Sequence, residues 1–575
     1  MQKKQTILVV ASLLLVVVLS VTLAYFTAQI IGKGKDVLVT SADLKIVFTD
    51  TDGNIEGNNI TPGWSNSKTF TVKNESNGTY KYDIIIKDLV NTFKTYKYLQ
   101  YKITSTDGGY NMTDYSYLPK SSTKEDVALA YEVSIDKGKT HTYTIKIKYV
   151  NDESADQSID MGQSLSGTIY IREFTKPTMM LTDKLMADNP TIGTKTTFTV
   201  FTETNTGTLY KATEQIGTNE SKDVYYFAGD AKNNWVKFGK TTESSCTYKG
   251  KEVLYIDATN DDERNPENET ECTSTNICNV RAVYVVGLTE SECNEAGYTW
   301  ITEKATWNGT STKDIYWRII RTNADGSIKL LYAGTSPDTE KAYIGMSAFN
   351  ETCDDPMYVG YKYGTTGSLE NNRLNTNNST IKTYVDNWYK NNLTAYTKYL
   401  SNDAVYCNDR TLASGETYST TKEFNYAPHE RIEKNKQPTY NCINMSDAFS
   451  VNNTSAKLDY PIGLMTIDEL SYAGGERSTI LDAPYAWYYT NANGESSYGS
   501  AAFGALSPFD WNGFSSGVWS VSGSDWPGRL DSNRAGDGII VLRPSVSLSS
   551  CNLISRGDGS PENPYVVYTG IGVCE

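Results

Sequence analysis

Residues able to do chemistry are few and scattered. Only two histidines, His141 and His429, occur in 575 residues, so a multi-histidine metal centre or a pair of imidazoles in one site has no supply. The nearest string to a zinc motif, His429-Glu430-Arg431-Ile432-Glu433, has Glu where H-E-x-x-H needs its second ligand. After Pro428 it reads as a loop with a surface His/Glu contact, and His141 reads as a solvated residue on the polar side of a strand. Carboxylates gather in Asp50-Thr51-Asp52-Gly53-Asn54-Ile55-Glu56 and between 257 and 271. Calcium needs about six to eight converging oxygens; Gly53 comes one place too early for an EF-hand loop, and Thr61 stands where its last ligand belongs. Solvated turns are the expectation. No P-loop, no dinucleotide fingerprint after a strand and no G-x-S-x-G elbow is present. The sequence therefore assigns no catalytic residue, no metal and no cofactor.

The nine cysteines all lie between Cys246 and Cys574, and in an exported chain that reads as a disulfide framework with one thiol left over. We pair Cys407 with Cys442, Cys551 with Cys574, Cys246 with Cys272 and Cys278 with Cys293. Cys353 is then free, although spacing alone leaves other connectivities open.

Aromatic side chains are the remaining candidates for binding. Trp487, Trp511, Trp519 and Trp526 sit in a loop-rich stretch with Tyr488, Tyr489, Tyr498 and Phe514, beside Asp510, Asn512 and Asp525. Flat rings next to amides and carboxylates suit a sugar or peptide ligand, with core packing as the competing reading. Net charge is −15, which disfavours nucleic acid and anionic membrane surfaces as partners.

These residues must be placed by a mainly β chain with α+β parts. From about 42 to 174, alternation dominates: Tyr143, Ile145, Ile147 and Tyr149 oppose Thr142, Thr144, Lys146 and Lys148, the period of a half-buried strand. Asp52-Gly53, Pro62-Gly63, Asn77-Gly78 and Asp107-Gly108 supply turns. An antiparallel, jelly-roll-like β-sandwich over 25–175 is expected. A Pro-bounded connector over 176–221 carries a short helical pattern in Met180, Leu181, Leu185 and Met186. The remainder, 222–575, reads as one disulfide-stapled α+β domain with a Cys-rich insertion at 241–313. Within it, Asn323-Ala324-Asp325-Gly326 marks a hairpin. Ile381, Tyr384, Val385, Trp388 and Tyr389 mark a helix over 380–391, and Thr466-Ile467-Asp468-Glu469 is a capping box.

At the N-terminus, Lys3 and Lys4 precede an apolar run from 7 to 24, the pattern of a secretory signal. As a helix it would span about 27 Å at 1.5 Å per residue, short of a hydrocarbon core of about 30 Å. A signal over 1–24, cut before Tyr25 or next at Thr27-Ala28, is expected, with membrane contact only through that segment before cleavage and an uncleaved anchor as the open alternative. Leu23-Ala24-Tyr25-Phe26-Thr27, then Val39-Thr40-Ser41-Ala42-Asp43-Leu44, then Thr61-Pro62-Gly63-Trp64 resemble the TasA/camelysin family of secreted bacterial proteins. The resemblance implies a sandwich that polymerises by donating an N-terminal strand. By position, the donated segment would be Tyr25 to Thr40, with Tyr25, Phe26, Ile30, Ile31, Val37 and Val39, and a flexible leader is the competing reading. Farther on, Arg543-Pro544-Ser545-Val546-Ser547-Leu548 and Gly557-Asp558-Gly559-Ser560-Pro561-Glu562-Asn563-Pro564-Tyr565 resemble an uncharacterised domain of exported gut-bacterial surface proteins, akin to C-type-lectin-like folds.

The expectation is thus a secreted, non-enzymatic cell-surface or matrix protein. Its sandwich assembles into a homo-polymer or anchors, and its larger domain displays a surface for a glycan or a host or matrix protein. The alternatives are a secreted camelysin-type peptidase, an oxidase using the odd cysteine, and a monomeric carbohydrate-binding protein.

Overall fold

The computed structural model describes residues 61–242 and 312–574, apart from 96, 113, 153–155, 161, 199–203, 206, 478–485, 537–539 and 571–572. Before and between these spans it describes chiefly the backbone of strands. Two compact units divide the chain, Met1–Lys176 and Pro177–Glu575.

The first unit is a β-sandwich. Its strands are β1 (Phe26–Ala28), β2 (Val37–Thr40), β3 (Lys45–Asp50), β4 (Ile55–Gly57), β5 (Ser65–Asn74), β6 (Tyr80–Asn91), β7 (Leu99–Ser105), β8 (Ser116–Tyr117), β9 (Ser121–Ile135), β10 (Thr140–Tyr149) and β11 (Leu165–Glu173). One sheet runs β4-β1-β11-β6-β9 and the other β2-β3-β5-β10-β7-β8. Alternate residues face inward, so Phe70, Val72, Ile103 and Ile145 of one sheet share a single core with Ile84, Leu89, Ile169 and Ile171 of the other, as the period of two requires. Pairing is antiparallel throughout the described ladders of this unit, with one exception: β1 lies parallel to β11, Thr27 opposite Ser166.

His141 corrects the sequence reading. It shares the odd register of Tyr143 and Ile145, so the strand turns it inward, and it is only 6% exposed. Its Nδ1 stands 2.8 Å from the Tyr82 hydroxyl, which is itself 2.5 Å from the Tyr143 hydroxyl. Burial lowers its pKa against the pull of Asp107 and Asp136.

The second unit is α+β. Helix α1 (Leu181–Asp188) is followed by β12 (Thr208–Glu214), β13 (Lys222–Tyr226), β14 (Trp235–Tyr248), β15 (Thr306–Thr322) and β16 (Ile328–Tyr332). Helix α2 (Thr380–Asn392), β17 (Ile462–Leu464), α3 (Ile467–Tyr472), β18 (Ala502–Trp511), β19 (Ser516–Val521), β20 (Leu530–Arg534) and β21 (Pro544–Leu548) come next. An eleven-stranded sheet gathers β12 to β17 and β21, while β18, β19 and β20 belong to a second, six-stranded sheet.

Of the stretch expected as a connector over 176–221, Leu181 and Leu185, one helical turn apart, are buried, β12 pairs with β13 from Tyr210 to Glu214, and the second unit starts at Pro177. The insertion is carried on a ribbon: β14 and β15 pair from Trp235 opposite Arg318 out to Thr247 opposite Thr306. The side chains of Cys246, Cys272, Cys278 and Cys293 lie outside the described residues, as do those of Tyr25, Phe26, Ile30, Ile31, Val37 and Val39. Disulfides join Cys407 to Cys442 and Cys551 to Cys574, and Cys353 is free.

Candidate functional site

A groove of about 500 Å³ opens in the second unit where four chain segments meet. The β12–β13 turn supplies Glu214, Ile216, Asn219, Glu220 and Lys222. The β15–β16 hairpin turn supplies Asn323, Ala324 and Asp325, and the remaining walls come from residues 403–405 and 445–453. Local chemistry fixes each piece. Asn323 N donates to Ser327 O at 2.8 Å and Gly326 N to Asn323 O at 2.9 Å, and Gly326 takes φ +83°, the left-handed position such a turn needs.

The walls are laced together. Gly217 N donates to Cys442 O and Cys442 N to Gln215 O, both at 2.9 Å, and Cys442 is bonded to Cys407 just beyond the 403–405 wall. Ser401 Oγ donates to Asp325 Oδ2 at 2.5 Å, and Asn452 Nδ2 to Asp403 Oδ1 at 2.8 Å. Gly217 has φ +56°, and a Cβ there would meet Met445 Sδ at 2.7 Å. The positive φ favours glycine there, and its missing Cβ leaves room for Met445.

Beneath the groove lies a buried charge network. Arg321 Nη2 donates to Glu214 Oε1 at 2.8 Å, and its Nε to Glu469 Oε1 at 2.9 Å. Lys329 Nζ donates to both Glu469 oxygens, at 2.7 and 3.0 Å. Glu469 also closes the α3 capping box, accepting Thr466 N at 3.0 Å while Thr466 Oγ1 accepts Glu469 N at 3.1 Å. Burial works against the Glu469 carboxylate, but Lys329 and Arg321 overcome it and hold its pKa below the ordinary value. Burial also lowers the Lys329 pKa, Glu469 opposing. Two cations and two anions thus neutralise one another, as buried charges must.

The aromatic candidates are mostly core. Trp487, Trp511 and Trp519 are at most 2% exposed, a correction to the reading of them as surface platforms: large rings in strands and tight turns bury more apolar area inward than any ligand face offers. Trp487 donates through Nε1 to Phe227 O at 3.0 Å. Trp526 is half-exposed, with the Arg529 guanidinium 3.6 Å above its ring. His429 pairs with Glu433 at 2.8 Å and stacks on Phe509, ring centroids 4.1 Å apart, so it is a packed residue more than a surface contact. Near it, burial raises the Asp510 pKa to about 6, Arg477 opposing and Glu423 adding.

No protein-family model matches this chain, and no curated protein does. Solved structures give distant likenesses only. The tip adhesin CupB6 of Pseudomonas aeruginosa is 9% identical, over 51% of this chain and 93% of its own, with a TM-score of 0.13. AvmM, described as catalysing macrocyclisation in alchivemycin A biosynthesis, is 9% identical over 25% of this chain and 98% of its own, also at 0.13. A family 123 glycoside hydrolase from Clostridium perfringens is 7% identical over 28% and 37%, at 0.10. At these TM-scores none of the three carries an argument.

Sequence reasoning located the hairpin turn and the Cys407–Cys442 bridge but not the groove between them. Its residues come from segments more than two hundred positions apart, and no periodicity or motif links Glu214, Asp325, Asp403 and Asn452.

Proposed function

We propose that this chain is an exported bacterial surface protein, without enzymatic activity, whose sandwich assembles with further copies and whose second unit presents a ligand-binding groove. The observation that carries the reading is the β1 strand. It lies inside its sheet, held antiparallel to β4 on one side and parallel to β11 on the other, where the other described ladders are antiparallel. A short strand inserted in a sheet by main-chain hydrogen bonds can be given by the chain itself or by a neighbour with nearly the same bonding. The two disulfides fit an oxidising compartment, and no helix among the described residues is long and apolar enough to cross a membrane.

Negative-stain electron microscopy and sedimentation of protein starting at Tyr25, beside protein starting at Ser41, test the assembly half. Fibres or an oligomer ladder from the longer protein alone are expected, with both forms giving the same far-UV circular dichroism. Monomers from both would remove strand exchange and leave a monomeric binding protein.

A further inference from the structure

We propose that His141 is the catch of a pH-sensitive latch: neutral, it holds residues 106–110 of the β7–β8 loop closed over the sandwich, and its protonation releases them. The inference concerns the first unit by itself and rests neither on assembly nor on a ligand.

The catch is a directional hydrogen-bond chain. Tyr110 N, a backbone donor that cannot reverse, donates to the Tyr143 hydroxyl at 3.1 Å. The Tyr143 and Tyr82 hydroxyls stand 2.5 Å apart, and the Tyr82 hydroxyl stands 2.8 Å from His141 Nδ1. With the imidazole neutral and its proton on Nε2, the chain closes: Tyr143 donates to Tyr82, and Tyr82 donates to Nδ1. An imidazolium puts a donor at that end as well. Only one hydroxyl hydrogen fits between the two oxygens, so the other is left without an acceptor in the chain. Both tyrosines are fully buried, and folded chains avoid an unpaired buried donor.

The loop is the part that gives. A Cβ on Gly108 would lie 3.9 Å from His141 Nε2, and one on Gly109 would lie 2.5 Å from the Tyr143 hydroxyl, so the loop lies directly over both rings. It is held by Tyr110 N and by Asp107, whose two carboxylate oxygens accept Thr142 N at 2.8 Å. Beyond, Met112 N donates to Ile103 O at 2.9 Å and fixes the far side of the opening. The titratable groups facing His141 are Tyr82 from β6, Tyr143 from its own strand, Asp107 from the loop and Asp136 from the β9–β10 turn. On β5, the apolar Val72 stands opposite it. Burial lowers the His141 pKa and outweighs the two carboxylates. The opened chain therefore takes the proton first, and closure is full above about pH 6.5 and lost as pH falls below it. Burial works against the Asp107 carboxylate, but hydrogen bonds from Thr142 and Ser105 hold its pKa below the ordinary value, so Asp107 stays ionised in that window.

The test uses protein starting at Tyr25 with ring-labelled histidine. The chain has two histidines, and His429→Gln, in the other unit, leaves one signal. Nuclear magnetic resonance should find His141 as the Nε2–H tautomer, titrating below the unfolded-chain value of about 6.5. Hydrogen exchange corrected for intrinsic rate should show residues 106–110 losing protection about tenfold or more between about pH 7.5 and about pH 5, while the β6–β11 ladder keeps its own. His141→Gln, whose neutral amide oxygen still accepts from Tyr82, should keep the loop closed at both pH values. An Nδ1–H tautomer, titration at or above about 6.5, or equal loop protection at both pH values would overturn the inference. So would the same acid loss in His141→Gln, which would assign the opening to the carboxylates. The tautomer, titration and exchange of His141 itself need no substitution there, so a His141→Gln chain that fails to fold leaves them decisive.

Discussion

Arg321 donates to Glu214 across 2.8 Å with both side chains no more than 4% exposed, and this contact joins the floor of the groove to the core of the large sheet. Removing one partner of a buried pair leaves an uncompensated charge, which costs about 3–5 kcal/mol. Arg321→Met should therefore lower stability by that order in denaturant titration. Replacing Glu214 by Gln in the same chain should recover part of the loss, because the stranded carboxylate is then gone.

The Cys407–Cys442 bridge spans 35 residues. In the chain-entropy model its loss costs about 4 kcal/mol. The double variant Cys407→Ala, Cys442→Ala should show this in calorimetry, and it should also loosen the Gly217–Cys442 lacing, seen as faster amide exchange at Gly217. Loss of Cys551–Cys574, which closes a shorter loop of 23 residues, should cost slightly less.

Trp487 and Trp526 separate core from surface. Trp487→Ala removes a fully buried ring and should cost about 3–5 kcal/mol. Trp526→Ala removes a half-exposed ring and its Arg529 contact, and should stay within about 1 kcal/mol. Thermal melts of the two variants decide between them.

Asp510 gives a pH signature. Its folded pKa is raised to about 6 by burial, with Arg477 opposing and Glu423 adding, above the unfolded value of about 3.9. The stability linked to it is therefore full below about pH 4 and is lost as pH rises through about 6. Asp510→Asn should raise the melting temperature at pH 7.5, by the equivalent of about 1 kcal/mol after solvent screening, and leave it unchanged at pH 4. A gain at pH 4 equal to that at pH 7.5 would contradict the assignment.

Local pattern determined much of this protein. The alternation of Tyr143, Ile145 and Ile147 makes a sandwich strand because side chains on a pleated strand must alternate. Thr466 and Glu469 cap α3 because their side chains reach neighbouring amides three residues away. The helix over Thr380–Asn392 follows from apolar spacing on one face, and Asn323 to Gly326 turns because its residues tolerate that backbone.

Only the tertiary structure decided the rest. His141 is buried because its register, not its polarity, chooses its side, and Tyr82, which partners it, is 59 residues away. Trp487, Trp511 and Trp519 are core because distant segments cover them. Glu214, Asp325 and Asp403 share one groove because the β12–β13 turn, the β15–β16 turn, the segment 403–405 and a loop near 450 converge there. Periodicity reports which face a residue takes within its own element, whereas the closing of long loops and the choice of what covers each face depend on contacts across the whole chain.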